Sequence, residues 1–158
     1  MYLGLDLGTS SVKALIVDAS GTAVASQSVP LQVIRRKAGW SEQDPQSWWD
    51  ATNRAVRSLG AEYPEEMRKI TGIGLSGQMH GLTALDANDT VLRPAILWND
   101  TRSASQAMQL DTGHPAFRQL GGNAVMPGFT APKAVWMAEN EPELFQRLGA
   151  VLLPKDYL

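Results

Sequence analysis

The first third of the chain consists of short apolar runs separated by turn-forming residues. The apolar runs extend from Tyr2 to Leu7, from Val12 to Asp18 and from Ala23 to Val33. The segments 8–11 and 19–22 between them contain glycine, serine and threonine, which favour tight turns between strands. The pattern predicts a three-stranded β-meander.

A helix is predicted to begin near Pro45. Asp44 is suited to capping its first turn, and proline is favoured at the first helical position. Gly60 is the expected stop. Apolar residues between these points recur at three- and four-residue steps, which places one stripe against a core; they are Trp48, Ala51, Ala55, Val56 and Leu59.

The rest of the chain predicts short strands and helices, with a glycine-rich loop at 120–128. The final segment from Pro154 is typical of a first helical turn and has no stop signal, so we expect the chain to be truncated before its last helix. Strands are expected at 70–75, 82–85, 96–98 and 150–153, and helices at 103–110 and 131–140.

Composition indicates a folded domain and excludes several classes of protein. The 158 residues are 44% hydrophobic and 19% charged, which suits one ordinary globular domain. Fourteen basic and sixteen acidic residues give a net charge of −2, which argues against nucleic acid as a partner. The absence of cysteine excludes disulfides, thiolate metal sites and cysteine nucleophiles.

The beginning of the chain has no signal-peptide pattern. Met1–Asp6 lacks a basic segment and contains an aspartate where a signal peptide is apolar. No apolar run approaches the roughly 18 residues of a membrane span. We therefore expect a cytoplasmic protein with no membrane partner.

The first candidate site is the turn after the first predicted strand. Asp6 could hold a hydrated Mg²⁺, while the backbone and hydroxyl groups of Gly8, Thr9 and Ser10 could face phosphate oxygens. Lys13 could add a positive charge. The alternative is an ordinary surface hairpin of turn-forming composition.

The second candidate site follows the predicted strand at 70–75. Gln78 and His80 offer donors and acceptors that suit sugar hydroxyls, and neighbouring glycines allow close approach. The alternative is a histidine with a structural hydrogen bond. The two histidines of the chain are far apart in sequence, so we predict no structural zinc.

The third candidate site is Asn99 and Asp100, which could bind a polyol. Asp100 or Thr101 could equally cap the helix that follows, and Arg102 could orient the Asp100 carboxylate.

Two further residue types are interpreted as structural. The tryptophans at positions 48 and 136 lie on helical stripes, so core packing is favoured over sugar stacking. Lys133 is expected to be an exposed residue in a first helical turn.

Six segments in collinear order resemble the amino-terminal domain of the FGGY family of carbohydrate kinases. The QMHG segment is similar to the xylulokinase branch of that family and not to the glycerol kinases. The resemblance covers nearly all of the chain. The segments are DLGTS at 6–10, WSEQDPQSWW at 40–49, SGQMHG at 76–81, ILWNDTR at 96–102, MPGFTAPK at 126–133 and LPKDYL at 153–158.

The resemblance implies an α/β fold of the RNase H-like, actin-like ATPase type, with a mixed β-sheet and flanking helices. Enzymes of this family have two such domains, with ATP and the sugar in the cleft between them. Residues 1–158 would be most of the first domain. The catalytic base, an aspartate, would lie beyond Leu158 together with the absent second domain.

The resemblance also implies an activity, transfer of the ATP γ-phosphate to D-xylulose in the intact protein. Asp6 would be the catalytic carboxylate that holds Mg²⁺ through water, and Gly8, Thr9, Ser10 and Lys13 would lie near the phosphates. The sugar contacts would be Met79 and His80, with Gln78, Asn99 and Asp100 as further candidates. We expect the chain by itself to be inactive.

Two alternatives belong to other classes of protein. A metal-dependent nuclease would share the aspartate on the first strand, but it needs more carboxylates and a basic surface. A non-catalytic sugar-binding or regulatory module of actin-like fold would not need the missing base. The sequence leaves the oligomeric state open, including a homodimer of the intact protein.

Overall fold

The computed structural model describes residues 1–158, which form two compact units. The first unit comprises Met1–Val33 and Pro45–Gln78 with Leu158, and the second comprises Ile34–Asp44 and Met79–Tyr157. In chain order the elements are β1 (Tyr2–Leu7), β2 (Ser11–Val17), β3 (Ala23–Pro30), β4 (Glu42–Gln43), α1 (Pro45–Glu62), α2 (Pro64–Met67), β5 (Gly72–Gly77), β6 (Thr83–Leu85), β7 (Ala95–Ile96), α3 (Ala104–Gly113), α4 (Ala116–Gly121), α5 (Thr130–Asn140), α6 (Pro142–Gln146), β8 (Ala150–Leu152) and α7 (Pro154–Tyr157).

The first unit contains a four-stranded sheet in the order β3-β2-β1-β5. The strands β1, β2 and β3 pair antiparallel, which confirms the predicted meander. Strand β5 pairs parallel with β1, so the sheet is mixed, as predicted.

One face of this sheet packs against α1. Side chains alternate between the two faces of a strand, and Leu3, Leu5, Ala14 and Ile16 on the α1 side are buried with Leu59 of the helix. Burying a leucine or isoleucine side chain contributes about 1.5–3 kcal/mol. This face is therefore the core of the unit, and Asp6 and Lys13 lie on the opposite face.

Helix α1 begins at Pro45, as predicted, but it does not stop at Gly60. It continues to Glu62 because the next obstacle is Pro64. The residue before a proline is disfavoured in helical conformation, and Tyr63 has φ −129° and ψ 56°. The buried stripe contains four of the five predicted apolar residues, and the fifth, Val56, is half-buried.

The second unit contains two small antiparallel sheets and five helices. Strand β4 pairs with β7, and β6 pairs with β8. Its core includes Leu82, Ile96 and Trp136, which confirms the structural interpretation of Trp136. Trp48 in the first unit is also fully buried.

The predicted elements are confirmed with shifted ends. The strand expected at 70–75 lies at Gly72–Gly77, and the helix expected at 103–110 extends over Ala104–Gly113. The short elements β4, α2, α4 and α6 have two to six residues each, too few for a periodic pattern, and were not predicted. No helix of this chain is both long enough and apolar enough for a membrane crossing.

Candidate functional site

Asp6 lies near the end of β1 on the sheet face opposite to α1. Its neighbours Leu5 and Leu7 are buried, so the Asp6 side chain points to the other face, where it is exposed. Its partners across the adjacent strands are Lys13 on β2 and Ser76 on β5. The Asp6 carboxylate has no hydrogen bond or ion pair within the chain, so it can take a ligand without breaking one.

The turn after β1 is closed by its own backbone. The Gly8 N–H donates to the Ser11 carbonyl at 3.0 Å, so this N–H is already used and does not face a ligand. A Cβ at position 8 would lie 3.1 Å from the Ser11 oxygen, so the tight turn favours glycine. Ser10 is exposed, and with Thr9 it supplies the hydroxyl groups of this turn.

Gln78 joins this turn to the end of β5. The Thr9 hydroxyl donates to Gln78 Oε1 at 3.2 Å, and Gln78 Nε2 donates to the Gly8 carbonyl at 3.5 Å. The Gln78 N–H also donates to the Leu7 carbonyl at 2.7 Å. Gln78 therefore lies against the Gly8–Ser10 turn that follows β1. The role of Gln78 as a sugar contact stays a prediction.

The donor set around Asp6 fits Mg²⁺. This ion usually keeps several waters and binds one or two carboxylates together with substrate phosphates. Nowhere in the chain do three or more His, Asp or Glu side chains gather as a cation cage. A single exposed carboxylate, with Lys13 and Ser76 beside it in the strand register, suits an ion that arrives with its phosphate ligand.

In the second unit, Met79 and His80 form a tight loop with Gly81. Met79 is 62% exposed, whereas His80 is half-buried and has a left-handed φ of 57°. The His80 ring packs against the Phe129 ring with centroids 4.7 Å apart. The Met79 side chain is thus exposed to solvent, and one side of the His80 imidazole is covered by the Phe129 ring.

Lys133, which was predicted to be exposed, is fully buried. Its Nζ donates to the His80 carbonyl and to the Gly128 carbonyl, at 2.7 Å in each case. The prediction was wrong because position 133 of α5 faces the protein interior, where two backbone oxygens replace water as the partners of the amine.

Burial alters the pKa of both Lys133 and His80. Burial lowers the pKa of Lys133 from 10.5 to about 7, against a smaller opposite effect of Asp100 and with a small contribution from Arg102. Burial also lowers the pKa of His80 below 6.5, and the Lys133 cation lowers it further. His80 is therefore neutral at pH 7, with one ring nitrogen as donor and the other as acceptor.

Asn99 and Asp100 have different surroundings. Asn99 is exposed, whereas the Asp100 side chain is fully buried and paired with Arg102. Arg102 Nε donates to Asp100 Oδ1 at 2.9 Å and Arg102 Nη2 to Asp100 Oδ2 at 2.7 Å, which confirms that Arg102 orients this carboxylate. The Ser41 N–H also donates to Asp100 Oδ2 at 2.6 Å.

The alternative prediction that Asp100 or Thr101 caps the next helix is wrong. Helix α3 begins at Ala104, and the residue before it is Ser103. The Asp100 carboxylate instead accepts the Arg102 backbone N–H at 2.9 Å and forms a bidentate pair with the Arg102 guanidinium. A bidentate arginine is a strong partner for a buried carboxylate, so both oxygens are engaged away from the start of α3. Its proposed contact with a polyol stays a prediction.

Arg102 is the centre of a buried charge network. Its Nη1 donates to Glu42 Oε1 at 2.8 Å, and Glu42 also pairs with Arg93. The guanidinium lies 3.6 Å from the Trp40 ring centroid and 5.0 Å from that of Trp136. A planar cation suits this stacked, two-carboxylate environment, so Arg102 links the segment after Trp98 to Glu42 and Trp40.

Three residues near the Met79–His80 loop were missed as site residues, namely Gly128, Thr130 and Lys133. The Thr130 hydroxyl donates to the His80 carbonyl at 3.3 Å. A Cβ at Gly128 would lie 2.5 Å from the Trp98 carbonyl oxygen. The available signal was the three-residue spacing of Thr130 and Lys133, which places both on one face of a helix.

Comparisons with known proteins agree with this fold. The model of the N-terminal domain of the FGGY family of carbohydrate kinases matches residues 1–158. The chain is 50% identical to the xylulose kinase of Escherichia coli K12 over 158 residues, all of this chain and 32% of that protein.

Two crystal structures give the same result. A xyloylose kinase from Brucella ovis is 59% identical with a TM-score of 0.96, covering 99% of this chain and 33% of that chain. A xylulose kinase from Rhodospirillum rubrum is 31% identical with a TM-score of 0.93, and the match covers 99% of this chain and 32% of that chain. The predicted actin-like α/β fold is therefore confirmed, and the chain spans about a third of the length of these relatives.

Proposed function

Because this chain belongs to the FGGY family of carbohydrate kinases, we propose that the intact protein transfers the γ-phosphate of ATP to the O5 hydroxyl of D-xylulose. In this proposal residues 1–158 are the larger part of the first of two domains. The products are ADP and D-xylulose 5-phosphate, and the hydroxyl proton goes to a base outside this chain.

The observation that carries the proposal is the position of Asp6. Its carboxylate is exposed and unpaired near the end of β1, two residues before Gly8 of the Gly8–Ser10 turn. The relatives named xylulose kinase, one of them 50% identical over the whole chain, support a ketose as the acceptor.

Phosphoryl transfer depends on positioning and on neutralising the charge of the phosphate oxygens. Asp6 would hold Mg²⁺ through water, and the ion would supply that charge neutralisation. Lys13, beside Asp6 in the strand register, would add a cation. The exposed Ser10 hydroxyl would donate to a phosphate oxygen, and the Thr9 hydroxyl would do so after releasing Gln78 Oε1.

The sugar contacts in this proposal come from the second unit. The neutral imidazole of His80 would donate to one sugar hydroxyl and accept from another, and the exposed Met79 side chain would pack against the carbon skeleton. Asn99, which is exposed, is a further candidate for a hydroxyl contact.

The test is an ADP-release assay on the intact protein with D-xylulose, D-ribulose and glycerol as alternative acceptors. We expect turnover to be fastest with D-xylulose. The substitution Asp6→Asn removes the charge that holds the metal and should lower kcat by about 100-fold or more, since losing one preorganised electrostatic group costs that much in other enzymes.

The matched control is Asp89→Asn. Asp89 is also exposed, and it lies in a turn with φ 60°, a conformation that asparagine tolerates. This variant should keep the full rate. Near-normal turnover by Asp6→Asn would contradict the role of Asp6, and turnover by residues 1–158 alone would contradict the need for a second domain.

A further inference from the structure

Lys133 is a fully buried cation-forming residue without an ion pair. Its Nζ contacts two backbone carbonyl oxygens, those of His80 and Gly128. A buried lysine is unusual unless it is paired. Its hydrogen-bond partners are two backbone carbonyls and not a carboxylate, so Lys133 links the two chain segments to which these carbonyls belong.

The His80 backbone needs this support. A left-handed φ, here 57°, is uncommon and unfavourable in a residue other than glycine. The His80 carbonyl accepts from both Lys133 Nζ and Thr130 Oγ1. The first turn of α5 therefore holds the loop in a conformation that histidine alone would not favour.

The second carbonyl connects this loop to another segment. Gly128, whose oxygen accepts from Lys133 at 2.7 Å, lies against the Trp98 carbonyl so closely that a Cβ would be 2.5 Å from it. Phe129 packs on the His80 ring. The segments around His80, Trp98 and Gly128 thus meet, and Lys133 joins two of them.

We infer that Lys133, with Thr130, is a positioning residue for sugar binding, which fixes the direction in which Met79 and His80 face the sugar. This inference rests on the proposed function, because it takes Met79 and His80 as the sugar contacts. Lys133 itself is buried and does not touch the sugar.

Other charged groups near Lys133 do not replace this role. Asp100 and Arg102 act on it only through their charges, and Asp100 is occupied by Arg102 and the Ser41 N–H. An apolar side chain at position 133 would remove one hydrogen-bond partner from each of the part-buried His80 and Gly128 carbonyls, and a lost partner in such a place destabilises the loop. The loop can escape this cost by moving.

The experiment measures KM for D-xylulose and KM for ATP separately in the intact protein. Lys133→Met removes both hydrogen bonds and keeps a similar length of side chain. We expect KM for D-xylulose to rise at least tenfold, with KM for ATP within twofold of its original value. Thr130→Val removes one hydrogen bond and should raise KM for D-xylulose about threefold.

The matched control is Thr83→Val in the same unit. Thr83 is fully buried, and its hydroxyl has no hydrogen-bond partner, so the substitution has the same shape change and leaves the His80 loop alone. Both KM values should stay unchanged. A loss of folded protein lowers the apparent kcat without altering KM, so it does not mimic the expected result.

The inference is overturned if Lys133→Met has an unchanged KM for D-xylulose, or if KM for ATP rises equally. If Lys133→Met does not fold, Thr130→Val decides by the same comparison. If the unaltered protein phosphorylates none of the three acceptors, the proposed function itself is wrong and the inference falls with it. The two failures are therefore distinguishable.

Discussion

At the scale of single residues, His80 lies between an aromatic ring and a cation. Its imidazole packs against Phe129, and its carbonyl accepts from Lys133. Burial is the larger cause of its lowered pKa and the Lys133 charge is the smaller one. Both causes keep the ring neutral at pH 7, the form that can both donate to and accept from hydroxyl groups.

We predict that His80 titrates below pH 6.5 and that Lys133→Met raises its pKa without restoring the ordinary value. The variant removes the positive charge but leaves the burial. The measurement is an NMR pH titration of the histidine ring protons in residues 1–158, which contain two histidines. A His114→Gln variant assigns the signal.

Thr130→Val is the control for this titration. It removes a hydrogen bond to the same carbonyl but no charge, so the pKa of His80 should hardly change. An unchanged pKa of His80 in Lys133→Met would contradict the electrostatic coupling of the two residues.

At the scale of elements, α1 stabilises the first unit by packing one apolar face of the helix on the four-stranded sheet. Leu59 is fully buried against Leu3, Leu5 and Ile16 of the sheet. Val56, one helical turn earlier, is only half-buried. The two positions allow the contribution of this packing to be measured within one helix.

Leu59→Ala should lower the free energy of unfolding by about 2–5 kcal/mol, because it removes a buried side chain and leaves a cavity. Val56→Ala, the matched control, should cost about 1 kcal/mol or less. The measurement is urea denaturation of residues 1–158 with the slope of the transition compared between variants. Equal losses in the two variants would contradict the packing described for α1.

Strand β5 contains apolar residues that are exposed, so its sequence pattern does not predict its burial. Ile73 and Leu75 pair in register with the buried Leu3 and Leu5, yet they are 65% and 51% exposed. Strand β5 is at the edge of the sheet, and α1 packs on β2 and β3. The apolar residues predict the strand, but only the sheet order decides what covers them.

At the scale of the whole molecule, the pKa shifts determine how stability depends on pH. The Arg118 side chain lowers the pKa of Asp111 to about 2, with help from the Val125 N–H. Asp111 thus stabilises the fold above pH 4, and this contribution disappears as the pH falls through about 2. Lys133 affects the free energy of unfolding at neutral to alkaline pH instead.

We predict that the free energy of unfolding of residues 1–158 rises between pH 7 and pH 10. The pKa of Lys133 is about 7 in the folded chain and 10.5 as its ordinary value. In this range the unfolded chain binds a proton that the folded chain does not, so stability increases with pH, by at most about 1.4 kcal/mol per pH unit.

Urea denaturation at pH 6, 7, 8, 9 and 10 would measure this rise. Lys133→Met should remove it, because the titrating group is gone, while the loss of stability at low pH remains. A flat profile in the unaltered chain would mean that Lys133 keeps its proton when folded.

The sequence by itself determined the meander, the start of α1 at Pro45, the α/β class and the family. These depend on neighbours within a turn or a strand, where alternation and three- and four-residue spacing are visible, and on motifs in fixed order. The same local pattern also predicted Asp6 near the end of a strand, and the structure confirms this position.

Only the tertiary structure decided the environments of Lys133, Asp100 and Gln78. Lys133 and His80 are 53 positions apart, Arg102 and Glu42 are 60 apart, and Thr9 and Gln78 are 69 apart. The burial and pKa of a charged side chain depend on which distant groups replace its water. Residue spacing along the chain does not show which distant groups these are. For this reason Lys133 was expected at the surface, whereas in the structure it is buried and donates to the His80 carbonyl.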